Sequence, residues 1–169
     1  MKNYTQEQPT TSKYPMVQTS LQIGSVKLPN RIVFPAFQVN YAHTDGTVSD
    51  KLSNFYTSLA KGKCGLIFTG AAVVSSDSVA FDRVMRIDAD NCIPGLKKLF
   101  RDIEEYGSVP GIQLIHYGRQ ALNIVTGSDL LAPSSIPCPL MSQFDKTYHV
   151  REMNLDDIER VKNDFVKAA

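Results

Sequence analysis

Residues 64–69 read Cys64-Gly65-Leu66-Ile67-Phe68-Thr69, a short apolar run that is typical of a strand buried on both faces. It follows Lys61-Gly62-Lys63, where a glycine between basic residues predicts the end of a helix. That helix has Ser49 as a suitable N-cap. Its apolar positions recur at helical spacing: Leu52, Phe55, Tyr56 and Leu59. A helix that leads directly into a buried strand indicates a β/α repeat.

The same alternation continues on both sides of this stretch. Upstream, Ile32-Val33-Phe34 is a second apolar run, which we expect to be a first strand, also buried on both faces. Downstream, Pro94 and Gly107 bracket a second amphipathic helix, with Leu96, Leu99, Phe100 and Ile103 on one face. A third strand is predicted over residues 111–116. Strands that alternate with helices favour a parallel sheet, and both a doubly wound sheet and a barrel fit this pattern.

The amino-terminal flank of the repeats divides into two parts. Residues 1–16 are polar and without periodicity, so we expect a flexible arm, with residues 17–169 forming a single domain. Leu21-Gln22-Ile23 and Val26-Lys27-Leu28 alternate around the turn residues Gly24-Ser25, a pattern that predicts a β-hairpin.

The carboxyl-terminal flank begins with a long connection from Tyr117 to Met153, which contains several prolines. A connection of this length indicates a functional loop or a small insertion. Residues 147–153 are expected to supply a short strand, and Asn154 to cap a last helix. In that helix one face is apolar: Ile158, Val161, Phe165 and Ala168.

Composition excludes several classes of function. The chain is 43% hydrophobic with a formal net charge of +1, so its composition does not predict binding to nucleic acid or to a charged surface. It has no apolar run long enough to cross a membrane and no signal-peptide pattern, which makes the cytoplasm the expected location. The widely spaced Cys64, Cys92 and Cys138 predict buried thiols and no metal site.

Four stretches resemble the old yellow enzyme family of NADH:flavin oxidoreductases, in the family's order. They are Leu28-Pro29-Asn30-Arg31-Ile32-Val33-Phe34 with the following Pro35-Ala36-Phe37-Gln38, Asp45-Gly46-Thr47-Val48-Ser49-Asp50, Gly65-Leu66-Ile67-Phe68-Thr69-Gly70-Ala71, and Gln113-Leu114-Ile115-His116-Tyr117-Gly118-Arg119-Gln120-Ala121. The resemblance covers roughly residues 20–169 and favours the barrel. It implies the amino-terminal portion of a TIM (β/α)₈ barrel, about three of the eight repeats.

The resemblance also implies a cofactor and a set of residues that bind it. Family members bind FMN non-covalently at the carboxyl ends of the barrel strands, take hydride from NADH or NADPH, and commonly reduce an activated alkene. The matching cofactor-binding positions here are Pro35, Ala36, Phe37, Gln38, Ala71 and Gln113, with Asn40 and Tyr41 in the substrate pocket. Gln38 replaces the cysteine or threonine that often tunes the flavin, and Ala36 replaces a common proline.

The residue types fit that chemistry. A flavin needs a flat apolar slot and hydrogen-bond partners on its pyrimidine edge. The Gln113 amide offers a donor and an acceptor within an apolar strand. The family's catalytic pair follows the fourth strand, which lies beyond these residues, so catalytic residues stay unknown. We expect the DNA beyond Ala169 to encode a strand followed by His-x-x-His or His-x-x-Asn.

Three functional hypotheses therefore stand. The first is an FMN-dependent NAD(P)H oxidoreductase acting on a small-molecule acceptor. The second is a non-catalytic or assembly-dependent half-barrel that needs a complementary chain, because an incomplete barrel leaves sheet edges and an apolar face uncovered. The third is a flavin-free barrel with another chemistry, which Gln113 and its motif disfavour. A homo-oligomer is compatible with all three.

Overall fold

The computed structural model describes residues 13–169 of the chain. Of the predicted arm, residues 1–12 lie outside the described residues, and Pro15–Gln18 forms a turn of 3₁₀ helix. The predicted hairpin is confirmed: β1 (Leu21–Ile23) pairs antiparallel with β2 (Val26–Leu28). The turn between them contains Gly24 at φ +54°, a left-handed conformation that glycine adopts without strain.

Three parallel strands and two helices follow in strict alternation. They are β3 (Val33–Phe34), α1 (Asp50–Lys61), β4 (Leu66–Val73), α2 (Ile93–Glu104) and β5 (Val109–Ile115). The strands lie in the order β3-β4-β5, and both pairs are parallel. The predicted succession of β/α repeats is confirmed.

The two helices bury their apolar faces against one side of the sheet. Ser49 caps α1, since its Oγ accepts a hydrogen bond from the backbone N–H of Leu52 at 3.1 Å. The helix ends at Lys61 with Gly62 as its C-cap, and Lys63 then takes the left-handed φ of +64°. The core between helices and sheet contains these fully buried side chains: Leu52, Tyr56, Ala60, Ile67, Leu96, Leu99 and Ile103.

The prediction that the first strand is buried on both faces is wrong. Ile32 and Val33 are each 46% exposed. The physical reason is position, because β3 has a single hydrogen-bonded neighbour and only the face that carries Phe34 packs against the helices. An apolar run on its own does not tell a covered face from an open one.

Both longer strands differ in extent from the prediction. Strand β4 begins at Leu66 and continues to Val73, four residues past Thr69. Strand β5 begins at Val109, so it includes Pro110. The backbone N–H of Val109 donates to the Gly65 carbonyl. The nitrogen of the next residue therefore faces away from β4, where a proline without an N–H breaks no ladder bond.

The long connection is a small insertion with its own apolar contacts. It contains α3 (Asn123–Thr126), β6 (Leu130–Ala132) and β7 (Val150–Glu152), and β6 pairs with β7 in parallel. Strand β7 confirms the short strand predicted near this point. Four buried side chains form its cluster: Ala121, Leu130, Ala132 and Val150.

Helix α4 (Leu155–Ala168) completes the described chain. Asn154 and Asp157 form a capping box in which each side chain accepts a hydrogen bond from the other's backbone N–H. None of the residues of α4 is fully buried. Its contacts include ion pairs of Arg160 with Asp77 at 2.6 Å and of Arg151 with Asp157 at 2.8 Å.

The prediction of buried thiols is confirmed. Cys64, Cys92 and Cys138 are buried free thiols. Burial raises the pKa of the Cys92 thiol, which disfavours the reactive thiolate.

Candidate functional site

A bulge in β4 brings two of the predicted cofactor-binding residues side by side. Thr69 pairs with Ile112 and Ala72 pairs with Leu114, so Gly70 and Ala71 together lie opposite the single residue between them, Gln113. Two residues opposite one is the pairing of a β-bulge, which is common beside functional sites. Ala71 and Gln113 thus lie next to each other toward the carboxyl ends of two adjacent parallel strands.

The bulge also contacts the segment that follows β3. At Gly70 a Cβ atom would lie 1.9 Å from the carbonyl oxygen of Phe37, so only glycine permits this approach of the two backbones. The Gly70 N–H donates to the Tyr56 hydroxyl at 2.5 Å, and burial raises the pKa of that phenol. Helix α1 therefore holds the bulge in place through a fully buried tyrosine.

The face of the sheet away from the helices is open and largely apolar. Val33 pairs with Leu66, and Phe68 is two residues farther along β4 on the same face. The ring of Phe68 lies over Gly111, which shares this face of β5 with Gln113. Phe68 is 37% exposed, and the Gln113 side chain is exposed beside it. An apolar surface with one free amide meets the demands of a flavin ring.

A chain of polar side chains crosses the carboxyl ends of the outer strands. The Tyr117 hydroxyl, just after β5, donates to Gln38 Oε1 at 2.9 Å. Gln38 Nε2 in turn donates to Asn40 Oδ1 at 2.6 Å, and Asn40 has a left-handed φ of +49°. Burial raises the pKa of Tyr117, so the phenol stays a donor at neutral pH.

Tyr117 is the site residue that the sequence did not single out. Its partner lies 79 positions earlier in the chain. A pattern of neighbouring residues cannot predict a contact between positions so far apart in the sequence. The only available signal was that Tyr117 lies within the motif that begins at Gln113.

The other predicted site residues occupy different surroundings. Phe37 is 62% exposed, Pro35 is exposed and Ala36 is half-buried on the same segment. Tyr41 is not brought to this cluster. Its ring packs edge-on against Phe55, and the Lys51 ammonium lies 3.8 Å above it, on the side of α1. The assignment of Tyr41 to a substrate pocket therefore gains no support from its contacts, whereas Asn40 adjoins Gln38.

His116 marks the border between β5 and the insertion. Its Nδ1 accepts a hydrogen bond from the Gly118 N–H at 3.2 Å, and its buried Nε2 has no partner among residues 13–169. Burial lowers the pKa of this imidazole, which keeps it neutral at pH 7. It lines a cavity of about 620 Å³ together with Arg119, Leu131, Ser134 and Met153, among others.

Two further features are absent from the described part of the chain. Residues 13–169 contain no group of three histidine, cysteine, aspartate or glutamate side chains arranged to hold a metal ion. Across the same range no helix combines the length and the apolar character that a bilayer crossing requires. The cytoplasmic location stays a prediction.

Comparison with known proteins gives consistent matches. The sequence model of the NADH:flavin oxidoreductase / NADH oxidase family matches residues 18–169. An NADH oxidase of Thermoanaerobacter brockii is 32% identical over 160 residues, which cover 92% of this chain and 24% of that protein. An NADPH dehydrogenase of Bacillus pumilus is 34% identical over 148 residues, covering 87% of this chain and 41% of that protein.

The fold has solved counterparts as well. The crystal structure of Old Yellow Enzyme from Pichia sp. AKU4542 superposes with a TM-score of 0.84 at 26% identity, covering 91% of this chain and 42% of that one. The predicted partial barrel is therefore confirmed. The chain spans less than half the length of each of these proteins.

Proposed function

The chain belongs to the NADH:flavin oxidoreductase / NADH oxidase family, and from that membership we propose that it forms the flavin-facing amino-terminal part of an FMN-dependent NAD(P)H oxidoreductase. The flavin cradle comprises residues 35–38, the bulge at Gly70-Ala71, and Gln113. NADH or NADPH is the hydride donor, and the acceptor is a small molecule with an activated alkene or a related group.

One observation carries this proposal, namely the convergence of three separate segments. The Gly70 backbone touches the Phe37 carbonyl on one side and lies opposite Gln113 on the other. These contacts join the carboxyl ends of three neighbouring parallel strands, where barrel enzymes place their sites.

Each part of the cradle has a distinct task. The Gln113 amide pairs with donor and acceptor groups on the edge of a heterocycle. The absence of a side chain at Gly70 lets the segment 35–38 lie against the bulge. Phe68 supplies an apolar surface that excludes water. When bound, FMN supplies the hydride-transfer chemistry that amino-acid side chains lack.

The test is a titration of FMN against the protein expressed from its full reading frame, with quenching of flavin fluorescence as the readout. We expect Gln113→Leu to weaken binding about tenfold, the effect of losing one or two hydrogen bonds. The control is Gln22→Leu, which changes an exposed glutamine of β1 whose amide donates to the Gly24 carbonyl. A wild-type protein that binds no FMN, or a Gln113→Leu variant with undiminished affinity, would contradict the proposal.

A second candidate is favoured by the open face of the sheet. Val33 and Phe68 are exposed on it, and β3 and β5 each present an unpaired edge in the described sheet. We infer an assembly-dependent half-barrel, in which the 169-residue chain alone aggregates or loses FMN during gel filtration. Co-expression with a complementary barrel half restores flavin retention. A monodisperse, stoichiometrically flavinated monomer of the isolated chain would reject this candidate.

A further inference from the structure

The Gln38 side chain is held at both ends of its amide. Its Oε1 accepts from the Tyr117 hydroxyl, and its Nε2 donates to Asn40 Oδ1. Asn40 Oδ1 can only accept, so it selects Nε2 of Gln38, and the Tyr117 hydroxyl then donates to the remaining Oε1.

Tyr117 is itself anchored independently of Gln38. Its backbone N–H donates to Ser78 Oγ at 2.6 Å, and the Ser78 side chain is fully buried. The Gly118 N–H donates to the same oxygen at 3.2 Å. The phenol therefore extends from a fixed backbone toward a half-buried glutamine on a loop. Tyr117 is thus held by its backbone, and its hydroxyl in turn holds the Gln38 amide.

One hydrogen of the Gln38 amide stays available. Nε2 carries two N–H groups and makes one hydrogen bond within the described residues. Gln38 directly follows Phe37, whose carbonyl touches Gly70 of the bulge. The free donor thus belongs to the same segment as the cradle.

We propose that Tyr117 is a positioning residue that orients the Gln38 amide so that its second N–H is offered to the bound flavin. This inference rests on the proposed function. A donor binds an electron-rich acceptor more strongly, so the oriented amide favours reduced over oxidised flavin. Tyr117 acts on the flavin only through Gln38.

The experiment is a double-mutant cycle on the protein expressed from its full reading frame. FMN affinity is measured for wild type, Tyr117→Phe, Gln38→Met and the double variant, and a spectroscopic redox titration gives the affinity for reduced flavin. We expect Tyr117→Phe to lower the affinity for reduced FMN about threefold to tenfold, with a smaller effect on oxidised FMN. In the Gln38→Met background the same change has no further effect.

The controls separate this role from a structural one. Tyr106→Phe alters a tyrosine at the end of α2, away from the site, and leaves both affinities unchanged. If Tyr117→Phe does not fold, Asn40→Gly removes the other partner of Gln38 at a position whose positive φ suits glycine, and it is expected to reduce the same preference.

The outcomes are distinct. Equal losses for both redox states, or effects of Tyr117→Phe and Gln38→Met that simply add, would overturn the positioning role while leaving the FMN cradle intact. A wild-type protein that binds no FMN would overturn the proposed function and this inference together.

Discussion

Helices α2 and α4 both carry an amphipathic pattern, yet they are held in different ways. Helix α2 buries Leu96, Leu99 and Ile103 in the core beneath the sheet. Helix α4 buries no residue completely, and Ile158 on its apolar face is 41% exposed. Instead of buried apolar side chains, α4 has a capping box and the ion pairs of Arg160.

The difference shows that an amphipathic pattern predicts a helix but not what the helix packs against. Apolar burial contributes most of the free energy of a docked helix, whereas exposed ion pairs contribute little. We therefore expect α2 to belong to the stable unit of the molecule and α4 to open locally at lower cost.

The sharpest test of this comparison is the same substitution in both helices. Leu99→Ala, at a side chain that is 1% exposed, is expected to lower the free energy of unfolding by about 2–5 kcal/mol through lost burial and a cavity. Leu155→Ala, at an exposed position of α4, is expected to change it by less than about 0.5 kcal/mol. Urea unfolding measures both. Equal losses would show that the two helices do not differ.

A second test targets the link between the helix core and the bulge. Tyr56→Phe removes the acceptor of the Gly70 N–H and leaves that buried donor unpaired, which is expected to cost about 1–3 kcal/mol. Tyr106→Phe at the end of α2 is the matched control. Stability unchanged by Tyr56→Phe in urea unfolding would mean that the bulge does not depend on this hydrogen bond.

A third test concerns the polar attachment of α4. Asn154→Ala removes the N-cap acceptor of the Asp157 N–H and is expected to cost about 1 kcal/mol. The loss falls on α4, so amide exchange should accelerate in residues 155–168 and stay unchanged in α2. Acceleration in both helices would show that α4 unfolds together with the core.

The smallest expected effect is a pH dependence of the free energy of unfolding, caused by His116 at the end of β5. Burial lowers the pKa of His116 below its ordinary 6.5, and the charges of Asp77, Arg160 and Asp164 act on it. The unfolded chain therefore binds a proton that the folded chain does not, so this contribution to stability is complete above pH 6.5 and declines as the pH falls below it. Urea unfolding from pH 7.5 to 5.5 measures the decline.

Two variants assign that decline to its source. His116→Asn is expected to flatten it, whereas His43→Asn, on the exposed loop before α1, is expected to retain it. A wild-type slope in His116→Asn would mean that another group dominates the titration.

Local chemistry made much of the fold predictable. The caps Ser49 and Asn154 and the turn at Gly24 each act within four residues, and the structure confirms all three elements that they border. The apolar runs also located the three parallel strands. These signals depend on neighbours in the sequence, which is why they can be read from it.

What could not be predicted depends on neighbours in space. The exposure of Val33 follows from the absence of a packed layer on one face of β3, which no local pattern reports. The contact of Tyr117 with Gln38 joins residues 79 positions apart. Residues 35–38, Ala71 and Gln113 were predicted from a family resemblance, which carries contacts between distant positions, whereas the resemblance assigned no role to Tyr117.

The bulge at Gly70-Ala71 determines which face of the sheet the later side chains of β4 occupy. Side chains on a strand alternate, and the additional residue places Ala72 on the helix side, in the same core cluster as Ile67. Loss of a single codon at 70 or 71 would leave one residue opposite Gln113, so it would remove the bulge while Ala72 and Val73 kept their present faces. A relative that is one residue shorter within 66–73 would therefore keep the same packing after the gap and would lack the bulge that meets the Phe37 carbonyl.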